Sequence, residues 1–157
     1  MQSNNSISLI RLVSTCADAC TRGCKVIRSV HTKRCSSSST TLGVSYKEKD
    51  DPRSALTEAD VSSQKVILAC LRNVWGEELN IIGEEDSDEE EIQVVADAEL
   101  FQKYNIPNLS QEPVQTDILH DKMNGKDGTW KETNVSLSDV TLYIDPMDGT
   151  REFVEGR

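Results

Sequence analysis

The chain lacks a long hydrophobic run and carries no excess of positive charge, and each shortage removes a class of protein. Its longest uninterrupted apolar stretch, Val66–Leu71, falls far short of the roughly 18 residues a membrane-spanning helix needs. Arg11 breaks the apolar stretch Ile7–Val13 behind the N-terminal Met-Gln-Ser-Asn-Asn, so no secretory leader is expected. Basic residues number 17 against 27 acidic ones, a net charge of −10, without the cationic stripe that nucleic acid demands. A phosphorylated small molecule stays compatible with that balance if metal ions mediate the contact. There is no Gly-x-x-x-x-Gly-Lys-Ser/Thr loop and no Gly-x-Gly-x-x-Gly fingerprint, and Asp121 and Asp127 lack the partners of an EF-hand register. Hydrophobic residues make up 36%, below the roughly 45–50% usual for globular chains, so part of the sequence reads as solvated loop.

What is present fits one domain or a piece of a larger one: 157 residues allow a core that buries roughly 68–70% of the unfolded surface. The 5 cysteines are odd in number and crowd toward one end, at 16, 20, 24 and 35 with another at 70, which favours a reducing, cytoplasmic compartment. Cys20, Cys24, His31 and Cys35 invite a zinc reading, but their spacing departs from structural zinc knuckles, and burial as small hydrophobes is preferred.

Residues 7–30 carry a helical period, with Ile10, Val13, Ala17, Cys20, Cys24 and Ile27 predicted on one buried face. A Ser-rich polar stretch follows, taken over 32–50 as a flexible insertion. Thr57-Glu58-Ala59-Asp60 has the form of a capping box opening a second helix that ends near Gly76. Asn80–Gly83 reads as a short buried strand, 94–104 as a helix, and Val140–Ile144 as a strand that alternates apolar and polar residues. Trp75 and Trp130 read as packing residues, and neither His31 nor His120 suggests a nucleophile dyad.

Two of these strands end in carboxylates. One delivers Glu84, the other Asp145 and Asp148 within Asp145-Pro146-Met147-Asp148-Gly149-Thr150. Hard divalent cations want oxygen ligands, and Mg2+ typically takes one or two carboxylates with waters and substrate phosphate. Pro146 stiffens the turn, and Gly149 permits a close approach. Thr150 can offer a hydroxyl and a backbone N–H to a phosphate. Taken singly, each piece is equally a plain turn, cap or solvated strand end.

Taken in order, Thr57-Glu58-Ala59-Asp60, Ile81-Ile82-Gly83-Glu84-Glu85-Asp86 and the Asp145–Thr150 hexapeptide resemble the lithium-sensitive, magnesium-dependent phosphatases of the inositol monophosphatase superfamily. The flanking Arg151-Glu152-Phe153-Val154-Glu155-Gly156 resembles its 3′(2′),5′-bisphosphate nucleotidase branch. The resemblance implies an α/β fold, the N-terminal portion of a layered α-β-α-β-α sandwich. It also implies that Glu84, Asp145, Asp148 and the Met147 carbonyl hold two or three Mg2+ ions. Gly149 and Thr150 would bind phosphate, while Asp60 and Thr150 would deprotonate an attacking water. Asp60 thereby acquires two roles, cap and catalytic base, which one side chain is not expected to serve together. The implied substrate is adenosine 3′,5′-bisphosphate, cleaved to AMP and phosphate, with the sulfated nucleotide PAPS and inositol 1,4-bisphosphate as relatives. An inositol mono- or polyphosphate phosphatase, or a non-catalytic metal-binding fragment, are the alternatives.

The family carries a further metal-binding aspartate in a Trp-Asp motif downstream of the hexapeptide, and no equivalent is found here. Residues 1–157 are therefore expected to form the N-terminal portion of one phosphatase domain, its C-terminal half absent, with little or no activity alone.

Overall fold

In the computed structural model, the described residues are 6–36, 45–46, 55–84, 94–107 and 133–155. They form a mixed α/β arrangement. The chain runs β1 (Ser6–Ser8), α1 (Leu9–Ser36), β2 (Ser45–Tyr46), β3 (Ala55–Leu56) and α2 (Glu58–Trp75). A 3-10 turn (Gly76–Glu78) leads to β4 (Asn80–Gly83), α3 (Val94–Lys103) and β5 (Asn134–Ser136). A second 3-10 turn (Leu137–Asp139) precedes β6 (Thr141–Ile144), and the last element is α4 (Thr150–Glu155).

α1 is longer than its sequence period suggests, and it is turned the other way. It continues through Ser36, so the first residues of the expected insertion are helical; residues 37–44 and 47–54 lie outside the described set. Among the described residues of α1, the buried side chains are Leu12, Ser14, Thr15, Ala19, Arg22, Val26 and Val30, while Val13, Ala17, Cys20 and Cys24 are exposed. This corrects the expected core packing of Cys20 and Cys24, whereas Cys16 is half-buried against the core and the side chain of Cys35 lies outside the described set. Both faces of the helix carry small or apolar residues, and the one with the stronger apolar period faces outward. Arg22 can lie inside because its guanidinium is paired: Nε meets Asp18 at 2.8 Å, and Nη1 donates to the Pro107 carbonyl at 2.8 Å. Where the two long helices approach, Gly23 lies against Ile67, and a Cβ there would sit 2.9 Å from the Ile67 side chain.

α2 begins as its capping box dictates. The Thr57 hydroxyl accepts from the Ala59 amide at 3.1 Å, and the Asp60 carboxylate accepts from the Thr57 amide at 2.8 Å. Glu58 and Asp60 also place negative charge at the positive end of the helix dipole. At the other end, Arg72 Nη1 donates to the carbonyls of Gly76 at 3.1 Å and Leu79 at 2.6 Å, closing the helix and leading the chain into β4. Val66, Leu71, Leu79 and Val26 are almost wholly buried. Each such aliphatic side chain contributes roughly 1.5–3 kcal/mol.

Among the described residues, the strands form three two-stranded sheets. β1 pairs antiparallel with β5, Ile7 opposite Val135, and β2 pairs antiparallel with β3. β4 pairs parallel with β6, with Asn80 opposite Thr141 and Gly83 opposite Ile144. Ile81, Leu142 and Ile144 turn toward the core, whereas Ile82 and Tyr143 stand exposed on the other face. The expectation of a buried β4 therefore holds for one face only. α3 completes the core with Phe101, followed by Tyr104 and Ile106. Among the described residues, no helix is long and apolar enough to cross a membrane.

Candidate active site

The parallel pairing of β4 and β6 makes both strands end at the same level. The ladder runs one step further, because the Glu84 amide donates to the Ile144 carbonyl at 2.9 Å. Glu84 and Asp145 thus leave adjacent strand ends side by side, both exposed. β4 is also pressed close to α2: a Cβ on Gly83 would lie 2.6 Å from the carboxamide of Gln64, itself buried. Only glycine lets the strand approach that far.

After β6 the hexapeptide folds back on itself. Asp145 Oδ1 accepts from the Met147 amide at 3.2 Å, an Asx-type turn beside Pro146. Gly149 adopts φ 79°, the left-handed region, and its carbonyl accepts from the Phe153 amide at 3.0 Å as α4 begins. Phe153 packs toward α1, its ring 6.0 Å from that of His31.

This turn delivers Thr150 to Asp60. The Thr150 hydroxyl donates to Asp60 Oδ1 at 2.7 Å, joining residues 90 apart in sequence. The Met147 carbonyl lies 3.3 Å from the same hydroxyl, the longer of the two contacts. Asp60 is only 1% exposed. Its other oxygen, Oδ2, accepts from the Thr57 amide at 2.8 Å and the Thr57 hydroxyl at 2.6 Å. Asp60 therefore caps α2 and also meets Thr150. A carboxylate has two oxygens, and here one caps the helix while the other meets Thr150.

The remaining acidic residues behave differently. Glu84, Asp145 and Asp148 are exposed, and Met147 and Gly149 are half-buried. Among the described residues, no group of three or more His, Cys, Asp or Glu side chains converges in the manner of a metal cage. Donor chemistry still fits a hard cation, since Glu84, Asp145, Asp148 and the Met147 carbonyl offer oxygens only and Mg2+ commonly takes one or two carboxylates. Glu85 lies outside the described residues, as do His120 and Trp130. Cys16, Cys20 and Cys24 are free thiols on α1, and burial followed by the neighbouring Cys20 pushes the Cys16 thiol up.

Beside the capping box lies a second cluster that sequence reasoning missed. Glu58 Oε1 accepts from Lys103 Nζ at 2.6 Å and from the Tyr104 hydroxyl at 2.6 Å. These bonds tie the end of α3 to the first turn of α2, and they hold the Glu58 carboxyl below its usual range, Lys103 first and Tyr104 second. No sequence period links residues so far apart. The hydroxyl of Thr57 was legible as a cap, but its bond to Asp60 was not.

Parallel strand ends that carry carboxylates, a glycine turn and a threonine–aspartate hydrogen bond are thus brought into one region of the fold. The chain belongs to the inositol monophosphatase family, whose sequence profile matches residues 17–157. It is 27% identical over 154 residues to 3′(2′),5′-bisphosphate nucleotidase 1 of Dictyostelium discoideum, with 98% of this chain covered. The chain spans 41% of the length of that curated relative.

Proposed function

We propose that the protein is a Mg2+-dependent phosphatase that removes the 3′(2′)-phosphate of adenosine 3′,5′-bisphosphate, releasing AMP and phosphate. In this reading residues 1–157 are the N-terminal portion of one phosphatase domain of the layered α-β-α-β-α kind, working in the cytoplasm. The observation that carries it is the 2.7 Å bond from Thr150 to the buried Asp60. The choice of substrate class follows the name of the relative in Dictyostelium discoideum.

Thr150 has one hydroxyl proton. Donating it to Asp60 leaves the oxygen's lone pairs to accept a proton from water. As that water attacks phosphorus in line and the bond to the sugar oxygen breaks, its proton passes to Thr150 Oγ1 while the threonine's own proton moves to Asp60 Oδ1. The departing sugar oxygen takes a proton from solvent. Burial of Asp60 keeps other waters from its carboxylate, while Thr150 stays partly open to solvent. Glu84, Asp145, Asp148 and the Met147 carbonyl would hold Mg2+, and the Gly149–Thr150 backbone would face the phosphate. Bound Mg2+ supplies charge neutralisation at the phosphate oxygens and a lowered water pKa.

Phosphate release from adenosine 3′,5′-bisphosphate with Mg2+, with and without lithium, measured on a chain extended through the C-terminal half this reading requires, tests it. Lithium-sensitive release that Asp145→Ala abolishes supports it. Release untouched by Asp145→Ala, or a clear preference for an inositol phosphate, overturns it.

A further inference from the structure

We infer that Thr57 is a positioning residue for the Thr150–Asp60 pair, holding the Asp60 carboxylate by Oδ2 so that Oδ1 faces Thr150. This rests on the phosphatase reading and deepens it. A helix cap needs only an acceptor, and Thr57 supplies one to the Ala59 amide at 3.1 Å. Its hydroxyl does something further: it donates to Asp60 Oδ2 at 2.6 Å, within the range of charge-assisted hydroxyl–carboxylate bonds. The two functions do not compete, since the lone pair takes the amide and the single proton goes to Asp60.

The Thr57 amide reaches the same oxygen at 2.8 Å. Two donors on Oδ2 and Thr150 on Oδ1 therefore pin the carboxylate at both ends, with Thr57 and Asp60 only 2% and 1% exposed. An ionised aspartate only accepts hydrogen bonds, and all three contacts donate. Without the Thr57 hydroxyl, one amide alone holds Oδ2, and the side chain can rotate about its terminal torsion. Misplacing a reacting group by about 1 Å can cost a hundredfold in rate.

The test compares Thr57→Val, Thr57→Gly and Thr57→Ser, each in a chain extended through the C-terminal half, in phosphate release from adenosine 3′,5′-bisphosphate with Mg2+, per folded molecule, with melting temperatures alongside. Thr57→Gly is the safeguard against misfolding, because glycine is a tolerable N-cap but has no hydroxyl. Both hydroxyl-free variants are expected to lower kcat about tenfold to hundredfold with KM within about twofold, and Thr57→Ser to stay within about threefold of wild type. Combining Thr57→Val with Thr150→Val should lose little beyond the worse single change, because both act through Asp60. A fall in melting temperature with kcat per folded molecule intact overturns the inference, as do losses that multiply in the double variant. Failure of the underlying reading looks different: Asp60→Asn would then retain wild-type turnover.

Discussion

The two halves of the candidate site are built in opposite ways. Asp60 is buried and meets three donors from the protein itself, whereas Glu84, Asp145 and Asp148 stand exposed on strand ends and a turn. The difference follows from charge. One carboxylate can be satisfied by hydroxyls and amides that packing brings to it, so the protein completes that half alone. Several carboxylates drawn together repel one another, and only a cation offsets that repulsion. The first half should therefore be a stability element as well as a reactive one, and the second reactive but structurally cheap.

The sharpest way to break this contrast is to remove one carboxylate from each half. Asp60→Asn should lower phosphate release by about 10²–10⁴-fold and also lower the melting temperature, because an amide cannot accept from all the donors around it. Asp145→Ala should abolish release yet cost about 1 kcal/mol or less in urea unfolding, as an exposed residue does. Equal stability losses in both would remove the distinction.

Next in size is the response to metal. Mg2+ at about a hundredfold above its Kd should stabilise the wild type by about 2.7 kcal/mol, and Asp145→Ala should show no such rise. A rise that persists in the variant would place the cation elsewhere. Gly83→Ala tests the close contact that sets the level of Glu84: with a Cβ 2.6 Å from Gln64, the strand must shift, costing about 1–3 kcal/mol in thermal unfolding. An unchanged melting temperature would mean that the Gln64 side chain yields freely.

The smallest effect concerns Glu58, whose carboxyl is held below its ordinary value of 4.5 by Lys103 and Tyr104. A group with a depressed folded pKa adds stability above its unfolded value and loses it as pH falls through the folded one. Wild type should therefore exceed Glu58→Gln at neutral pH, and the gap should close well below pH 4.5. Both Glu58 and Lys103 are about half exposed, so solvent screening limits the difference to about 0.5 kcal/mol, read from urea midpoints.

Local signals in the sequence were read well and long-range ones poorly. The capping box, the end of α2 at Gly76, β4 and β6 all stand where their patterns put them, because caps, glycine and alternation act over a few residues. The buried face of α1 was misread, since helical period identifies an apolar stripe but not which stripe the neighbouring helix covers. Arg22 sits on the covered side because Asp18 and the Pro107 carbonyl receive it, and Pro107 is far away in sequence.

The sequence by itself determined the family, and the residues proposed for the site lie in short local motifs: the hexapeptide, Gly-Glu-Glu and Thr-x-x-Asp. Only the tertiary structure decided that the cap and the pair are one arrangement. Asp60 is divided between Thr57 in its own helix turn and Thr150 ninety positions away, and that division depends on the parallel β4–β6 pairing and the Gly149 turn. Hydrogen bonds of such reach are set by packing, so no spacing along the chain announces them.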